Sequence, residues 1–521
     1  MLQLFRICFL YLLMPFSVCA QVMPREGSAL NYRIVGFSLP PGHKNAVYTL
    51  EIAEGNYSSY DDFEKNISIT RKSDKDRIVA EVPYFGRQYT WRIVLNKGTD
   101  KNILHHFSTM MTKDVNLDSV RMRMVTPSDK YKDNYVFVDC NKTLYDMNGN
   151  PVWFFPGIED RNPDSVHLRD LRLSPFGSVT TIIGERIYEL DYNGNILWQE
   201  PGTRNVKTDT GMLSELYHHE FTRLPNGHYM VMAFEKSLWP LPVKPDSITL
   251  KNLHGLVIDS NNRYYQKMLF GNLIEYDEQG KIVWTWDGAA YFKNSDLGHR
   301  MTGNNLFNLN DTHANAFYFD EPTQSIYISF RDVNRIVQIH YPDGKVLATY
   351  GKQYVPGDPD RHLTNGMFCG QHSCKVSSDG YLYMFNNNTC GRNMLPTILM
   401  LKKPKPGNDS LEKVWEYICP MDDVDLKQQP GVIFNFGGSV AEQPDRSFFI
   451  CMGGIYGRLL IVNRDKKILW SAQPEKWDNE IHAWSKQGFF LDNHVREGSY
   501  RATMISRADL EHLIWGEPMD K

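Results

Sequence analysis

The sequence lacks several features that would point directly to a function. It has no GxxxxGKS/T loop, so nothing indicates a nucleotide held by a phosphate-binding loop. It has no CxxC pair of the kind that binds zinc or carries out redox exchange. Its formal net charge is only −4, which gives no reason to expect nucleic acid or an anionic membrane as a partner. An anionic substrate would therefore need a local group of Arg and His side chains.

Long apolar runs are also missing after the first twenty residues. At the start, Arg6 is followed by the apolar run 7–13 and then by Val18-Cys19-Ala20. A positive start, a short apolar stretch and small residues before a cleavage point are typical of a secretory signal peptide. We predict that residues 1–20 are this signal and that the mature chain is periplasmic or otherwise extracytoplasmic. Cys19 leaves open a lipoprotein.

Cysteine is present but sparse, with eight residues in all. Two of them lie in the predicted signal, and six remain: Cys140, Cys369, Cys374, Cys390, Cys419 and Cys451. In an oxidising compartment, a disulfide of Cys374 with either Cys369 or Cys390 is expected. Cys140 and Cys451 lie in strand-like runs, which favours buried free thiols there.

Alternating apolar and polar residues indicate an all-β chain with two domains. Four short alternating runs, at 48–52, 67–70, 78–82 and 89–94, predict a small N-terminal β-sandwich over residues 21–115. Long helices are scarce, and one is expected at Arg507–Leu513.

A repeated turn-and-strand motif occupies the rest of the chain. Clear copies end at Trp153, Trp198 and Trp284, a looser copy ends at Leu347, and degenerate copies end at Trp415 and Trp470. The first two tryptophans are 45 residues apart, which is typical of a four-stranded propeller blade. The six copies predict a six-bladed β-propeller over residues 116–521.

Three histidines occupy related places in this repeat. His219 and His372 each precede a turn glycine, Gly227 and Gly380, by eight residues, and His313 begins another hairpin. Because the first strand of each blade lines the central channel of a propeller, we expect these imidazoles to converge at one mouth of it. His218 is an alternate for His219 and a candidate substrate-binding residue, and strand alternation leaves open that it is only an outward-facing neighbour.

Two chemistries suit three convergent imidazoles. They can bind a metal ion, or they can supply a nucleophile and proton carriers. Arg331, at the end of the strand after His313, favours the second, because a guanidinium fork suits an anion and fits poorly beside a divalent cation. Asn315 is expected to share the face of His313. Each residue also has a structural alternative: backbone bonding for Asn315, and an ion pair between blades for Arg331. The polar run 386–389 either lines the pocket or forms a loop.

At these residues the chain resembles the bacterial arylsulfotransferases, periplasmic enzymes that move sulfuryl groups between phenols without a nucleotide donor. The ordered segments that carry the resemblance are 218–227, 311–316, 329–332 and 371–373. The resemblance implies the signal peptide, sandwich and six-bladed propeller together. It also implies that His372 is the nucleophile, transiently sulfated, and that His219, His313, Asn315 and Arg331 surround the sulfuryl oxygens. One departure is Cys374, two residues after His372, where the family usually continues with an uncrowded strand.

The resemblance further implies a ping-pong transfer from an aryl sulfate donor to a phenolic acceptor, with no cofactor and no metal. The expected partners are these small molecules, without nucleic acid or a membrane span, and a homodimer through the sandwich is left open. Two other interpretations remain: a metal-dependent propeller hydrolase or lactonase with the histidines as ligands, and a propeller that binds a ligand or protein without catalysis.

Overall fold

The computed structural model divides into two compact units, residues 1–110 and 111–521. It describes residues 22–38, 47–95, 103–112, 115–157, 168–202, 205–207, 212–240, 256–292, 311–351, 367–388, 395–403, 411–421, 437–453, 457–479, 482–486, 490–491, 494–495 and 499–519. The predicted signal at residues 1–20 and Cys390 therefore lie outside the described residues. Strands dominate both units, which confirms the all-β prediction.

The first unit has seven strands and one short helix. The strands are β1 (Ser28–Leu30), β2 (Ile34–Ser38), β3 (Tyr48–Glu54), β4 (Ile67–Ser73), β5 (Arg77–Glu81), β6 (Gln88–Leu95) and β7 (His105–Thr109), and the helix covers Tyr60–Lys65. Five strands form one sheet in the order β1-β7-β6-β3-β4, and β2 pairs with β5. Phe37 on β2 packs edge-on against Trp91 and Phe107 of the larger sheet, with ring centroids 5.1 and 5.9 Å away. Aromatic packing therefore joins the two sheets.

The second unit begins with β8 (Val120–Thr126), and its described strands form six sheets of four or more, numbered I to VI. Sheet I contains β9 (Asn134–Val138), β10 (Thr143–Asp146), β11 (Pro151–Phe154) and β37 (Ala502–Ser506). Sheet II contains β12 (Leu168–Ser174), β13 (Ser178–Ile183), β14 (Arg186–Leu190) and β15 (Ile196–Gln199). Sheet III contains β16 (Asn205–Lys207), β17 (Met212–Arg223), β18 (Tyr229–Pro240), β19 (Leu256–Ile258), β20 (Tyr264–Tyr276) and β21 (Ile282–Trp286).

The remaining three sheets continue the same antiparallel pattern. Sheet IV contains β22 (Ala314–Asp320), β23 (Ser325–Phe330), β24 (Arg335–His340) and β25 (Val346–Tyr350). Sheet V contains β26 (Gln371–Val376), β27 (Leu382–Asn386), β28 (Thr397–Lys402) and β29 (Glu412–Ile418). Sheet VI contains β30 (Ser439–Glu442), β31 (Phe448–Cys451), β32 (Leu459–Val462), β33 (Ile468–Asp478) and β34 (Ala483–Lys486), and β8 pairs with β33.

The described part of the second unit also contains short helical segments and a two-stranded sheet. Short helical segments cover Asp129–Tyr131, Gly288–Tyr291 and Glu321–Thr323, and β35 (Phe490–Leu491) pairs with β36 (His494–Val495). A helix covers Arg507–Trp515, which confirms the helix predicted at 507–513. Among the described residues, no helix is long and apolar enough to cross a membrane.

One strand of each sheet contacts the corresponding strand of the next, and together these inner strands form a closed series. They follow one another as β37, β12, β17, β22, β26 and β30, and sheet VI returns to β37 through β31. The last strand of the chain completes the first sheet by pairing with β9. This pairing joins an early strand and a late strand of the unit in sheet I.

The repeated tryptophans explain how each sheet meets the next. In five of the six sheets, the indole N–H donates to a backbone carbonyl in the repeat turn of the following sheet. The bonds are Trp153 to Tyr192 (2.9 Å), Trp198 to Glu278 (3.1 Å), Trp284 to Pro342 (2.5 Å), Trp415 to Arg464 (2.8 Å) and Trp470 to Met147 (2.9 Å). Each acceptor lies two residues before a turn residue with positive φ. The motif therefore encodes contacts between sheets as well as a turn within one.

A buried group of charges lies along the inner strands and includes the last strand of the chain. Arg501, which is 3% exposed, donates to Asp170 Oδ1 at 3.0 Å and to Glu220 Oε2 at 3.2 Å. Arg172 pairs with the same two carboxylates, so two guanidinium groups share two carboxylates. Arg501 also donates to the backbone oxygen of Asn315 at 3.1 Å. Sheets I, II, III and IV are thus tied together at one point.

Replacing Trp470 with Phe is expected to weaken the contact that closes the ring of sheets. The change removes the donor to the buried Met147 carbonyl, and leaving such an acceptor unpaired costs about 1–3 kcal/mol. Urea unfolding of Trp470→Phe measures this loss. Trp477→Phe is the matched control, because Trp477 packs on Trp484 in the extension of β33. An equal loss in both variants would contradict the role of the indole bond.

Replacing Arg501 with Met is expected to destabilise the second unit strongly. Two carboxylates would stay buried with only Arg172 to balance them, and breaking a buried ion pair costs about 3–5 kcal/mol. The free energy of unfolding in urea measures the effect. Arg263→Met removes a pair with Asp259 on an exposed turn, and its effect should be small. Similar losses in the two variants would contradict the account.

Candidate active site

The inner strands of sheets II to V share one backbone irregularity. Asp170, His219, His313 and Ser373 have φ values of 58°, 62°, 53° and 52°. The pairing register shifts at or next to each of them, as in a β-bulge. A bulge re-aims side chains and interrupts the alternation of faces, so consecutive residues can face the same space here.

The structure brings the three predicted histidines to one place. The imidazole of His219 lies against that of His313, with ring centroids 5.1 Å apart. Tyr500 stands edge-on to both His219 and His372, at 5.9 and 6.1 Å. Residues more than 150 positions apart in the sequence are therefore in contact around a single aromatic ring.

His372 lies on β26 with its ring fully enclosed, since only 2% of the residue is exposed. Its Nδ1 is 3.3 Å from the oxygen of Gly370 and 3.0 Å from Nδ2 of Asn387. Asn387 Nδ2 donates to the oxygens of Gly370 (2.8 Å) and Gly437 (3.1 Å), which uses both amide hydrogens. We therefore assign a hydrogen to Nδ1, donated to Gly370, and this tautomer leaves the lone pair on Nε2.

Electrostatics keep His372 neutral. Burial is the main reason that the pKa of its imidazole lies well below the usual value, and the positive charge of Arg331 lowers it further. A neutral imidazole with a free Nε2 lone pair is the nucleophilic form. Within the polar run 386–389, Asn387 lies beside His372.

Arg331 is held next to the histidines by backbone contacts. Its N–H donates to the oxygen of His313 at 2.9 Å, and its own oxygen accepts from Asn334 at 3.1 Å. Its side chain is 14% exposed, and Nη1 is 3.8 Å from Asp332 Oδ1. The guanidinium is thus partly exposed, and its charge acts on His372.

His218 is not the outward-facing neighbour that strand alternation left open. Its Nδ1 is 2.5 Å from Nδ1 of His219, and its ring stacks on Phe234 at 3.8 Å. The positive φ of His219 interrupts the alternation, which is why both imidazoles meet. Burial lowers the pKa of His218 to about 3, and it also places the pKa of His219 well below its usual value. Both rings are therefore neutral near pH 7.

His313 has a different environment from the other two. Its Nδ1 lies 3.7 Å from Asp311 Oδ2 and 3.8 Å from Asp332 Oδ2, and its side chain is 22% exposed. Two nearby carboxylates stabilise an added positive charge. Two carboxylates near the ring nitrogen thus characterise the surroundings of His313.

Asn315 is fully buried, and its side chain bonds a backbone group, as its structural alternative predicted. Its Nδ2 donates to the oxygen of Gln371 at 2.7 Å, which ties sheet IV to the residue before His372. Its Oδ1 has no hydrogen-bond partner in the structure. Asn315 therefore positions the strand that carries His372.

The sequence prediction missed Arg169, although the signal was present. Arg169 precedes the turn glycine Gly177 by eight residues, the spacing that singled out His219 and His372. Its guanidinium lies 5.4 Å from the ring centroid of Tyr500. Its charge contributes to the lowered pKa of His218 and His219. The inner strand of sheet II thus supplies an arginine at the place where sheets III and V supply histidines.

Tyr500 was also missed, and no motif in the sequence marks it. It precedes the closing strand β37, is 8% exposed and lies between the guanidinium groups of Arg169 and Arg501, each 5.4 Å from its ring. Its hydroxyl has no hydrogen-bond partner in the structure. Burial raises the pKa of this hydroxyl, so it remains protonated and able to donate.

Both predicted disulfide pairings of Cys374 are wrong. Cys374 is a free, buried thiol that packs with Tyr327, Met384 and Leu399. This packing directs it into the core between sheets IV and V. Cys140 and Cys451 are free thiols, as their strand-like surroundings predicted. In the part of the chain that the structure describes, no group of three or more His, Cys, Asp or Glu is placed to hold a metal ion.

Solved structures with a similar fold are distant from this chain. A protein of unknown function from Bacteroides caccae is 11% identical to this chain, with a TM-score of 0.35. The match covers 68% of this chain and 93% of the Bacteroides protein. A periplasmic gluconolactonase from Pseudomonas aeruginosa is 10% identical to this chain, with a TM-score of 0.30. The match covers 66% of this chain and 99% of the gluconolactonase. Scores this low carry no argument about function. No curated protein matches the chain.

A family model gives a clear assignment. The model described as Arylsulfotransferase (ASST) matches residues 122–410, which include sheets II to IV and all the histidines of the site. This match covers more than half of the chain, and the protein therefore belongs to the arylsulfotransferase family.

Proposed function

We propose that the protein transfers a sulfuryl group from an aryl sulfate ester to a phenol through a covalent intermediate on His372. Membership of the family supports arylsulfotransferase activity in general. The observation that carries the finer proposal is the state of His372, an enclosed, neutral imidazole beside the guanidinium of Arg331. A nucleophile and an anion-binding group are thus adjacent.

The first step forms a bond between His372 Nε2 and sulfur while the bond from sulfur to the aryl oxygen breaks. The electron pair of that bond stays on the phenolic oxygen, which leaves as a phenolate. Nδ1 keeps its hydrogen, donated to Gly370, so the sulfated ring carries one positive charge against the sulfuryl group. Arg331 balances the sulfuryl oxygens throughout, which is electrostatic preorganisation.

In the second step an acceptor phenol loses its proton and attacks sulfur, which restores neutral His372. We assign His313 as the group that accepts this proton, because the carboxylates of Asp311 and Asp332 can stabilise the charge that it then carries. His219 and His218 remain neutral and border the space for the phenol. Asn315 holds the strand of His372 in place.

The proposal extends to the architecture and compartment of the chain. We assign sheets I to VI as the blades of a six-bladed propeller, supported by the closed series of inner strands. We also propose that residues 1–20 direct export. Pairing of Cys369 with Cys390 would suit an oxidising compartment, because the other four cysteines of the mature chain are free thiols.

Substitution of His372 tests this function most simply. With 4-nitrophenyl sulfate as donor and phenol as acceptor, His372→Ala should release no 4-nitrophenol above background. Arg331→Ala should retain a rate that is lower by about 10²–10³, the usual effect of losing one charge-stabilising group. His340→Ala is the control, because the imidazole of His340 bonds to Asp343 in an exposed turn. A wild-type rate in His372→Ala would overturn the proposal.

The first step should not weaken in mild acid. Because the pKa of His372 lies well below its usual value, the ring stays neutral and nucleophilic between about pH 5.5 and 8, on both sides of the ordinary histidine pKa of about 6.5. Release of 4-nitrophenol in a single turnover should be flat over this range. In Arg331→Gln the acid limb should move to higher pH, since one cause of the lowered pKa is gone. A wild-type midpoint near the ordinary histidine value would contradict the assignment.

A further inference from the structure

The inner strand of sheet II carries a cation that the proposed function has not used. Arg169 occupies, by its distance from the turn glycine, the position of His219 on sheet III and His372 on sheet V. Its guanidinium faces the ring of Tyr500, the same ring that contacts both histidines. Arg169 therefore belongs to the wall of the pocket.

The order of the inner strands places Arg169 across the pocket from His372. The strands follow one another from sheet I to sheet VI and back to sheet I. In a closed series of six, sheets three positions apart face each other, and sheet II is three positions from sheet V in either direction. Arg331, on sheet IV, lies instead on the side of His372.

Displacement at sulfur, as in phosphoryl transfer, brings the entering and leaving atoms roughly into line. If His372 Nε2 enters from sheet V, the phenolic oxygen leaves toward sheet II. The positive charge that this oxygen meets there is Arg169. The same position receives the acceptor phenol in the second step, because that step reverses the first.

Chemistry also calls for a permanent cation at this place. The lowered pKa of His218 and His219 leaves both imidazoles neutral, so neither provides a positive charge to a departing phenolate. A guanidinium keeps its charge at all relevant pH values. The ring of Tyr500 lies near both Arg169 and Arg501, and its hydroxyl, which has no partner among the described residues, can add a hydrogen bond.

We propose that Arg169 binds the phenolic oxygen, stabilising the leaving phenolate of the donor and the entering phenolate of the acceptor. This inference rests on the proposed function and divides the work of the two arginines. Arg331 holds the sulfuryl oxygens, and Arg169 holds the electron pair released when the sulfur–oxygen bond breaks. Phenols that are weak acids, whose anions are least stable, depend on Arg169 most.

The test measures how strongly the rate depends on the acidity of the leaving phenol. Single-turnover release is followed for 4-nitrophenyl, 4-chlorophenyl, phenyl and 4-methylphenyl sulfate with wild type, Arg169→Gln and Arg169→Lys. Arg169→Gln should slow the 4-methylphenyl ester at least about tenfold more than the 4-nitrophenyl ester, within the range of effects for one charge-stabilising donor. Arg169→Lys, which keeps the charge, should fall between wild type and Arg169→Gln.

Controls separate this role from a structural one. Arg263→Gln, on an exposed turn, should match wild type across the series, and thermal unfolding reports whether the Arg169 variants are folded. A uniform slowing of all four esters in folded Arg169→Gln or Arg169→Lys would overturn the proposal, since a misshapen pocket would affect every leaving group alike. If Arg169→Gln does not fold, the same criterion applies to Arg169→Lys. A wild-type protein that releases no phenol from any ester would reject the proposed function itself.

Discussion

Arg501 lies where the last strand of the chain closes the series of inner strands, and its guanidinium meets carboxylates from two other sheets. Such a group of charges is stable away from water only when every member is paired. Although burial alone would raise the pKa of Glu220, the charges of Arg172 and Arg501 lower it to about 2. The positions of the inner strands, and of the side chains that they carry into the pocket, depend on this balance.

Next to that group of charges, the pocket contains guanidinium groups together with neutral imidazoles. Burial removes the charge from His218, His219 and His372, while Arg169 and Arg331 keep theirs. His313 has a different environment, with the carboxylates of Asp311 and Asp332 near its Nδ1. Similar residues therefore have separate environments in this pocket.

The sequence predicted the repeat and the convergence of histidines, because both follow from a fixed distance to a turn glycine. It left an outward face open for His218, since the bulge at His219 depends on pairing that no local pattern reveals. Arg169 has the same spacing but was overlooked because histidine was the residue type sought. Tyr500 has no repeat motif around it, and its place follows only from the closing strand. The pairing of Arg501 with Asp170 and Glu220 depends on which strands become neighbours in space.

His372 is the residue proposed to accept the sulfuryl group, and one measurement tests directly whether it does. The protein is incubated with an aryl sulfate and no acceptor. It is then digested and mapped by mass spectrometry under conditions that preserve a bond between an imidazole nitrogen and sulfur. We predict one added sulfuryl group, on the peptide that contains His372, which disappears when a phenol is supplied. An adduct on another residue, or release of phenol without any adduct, would contradict the account.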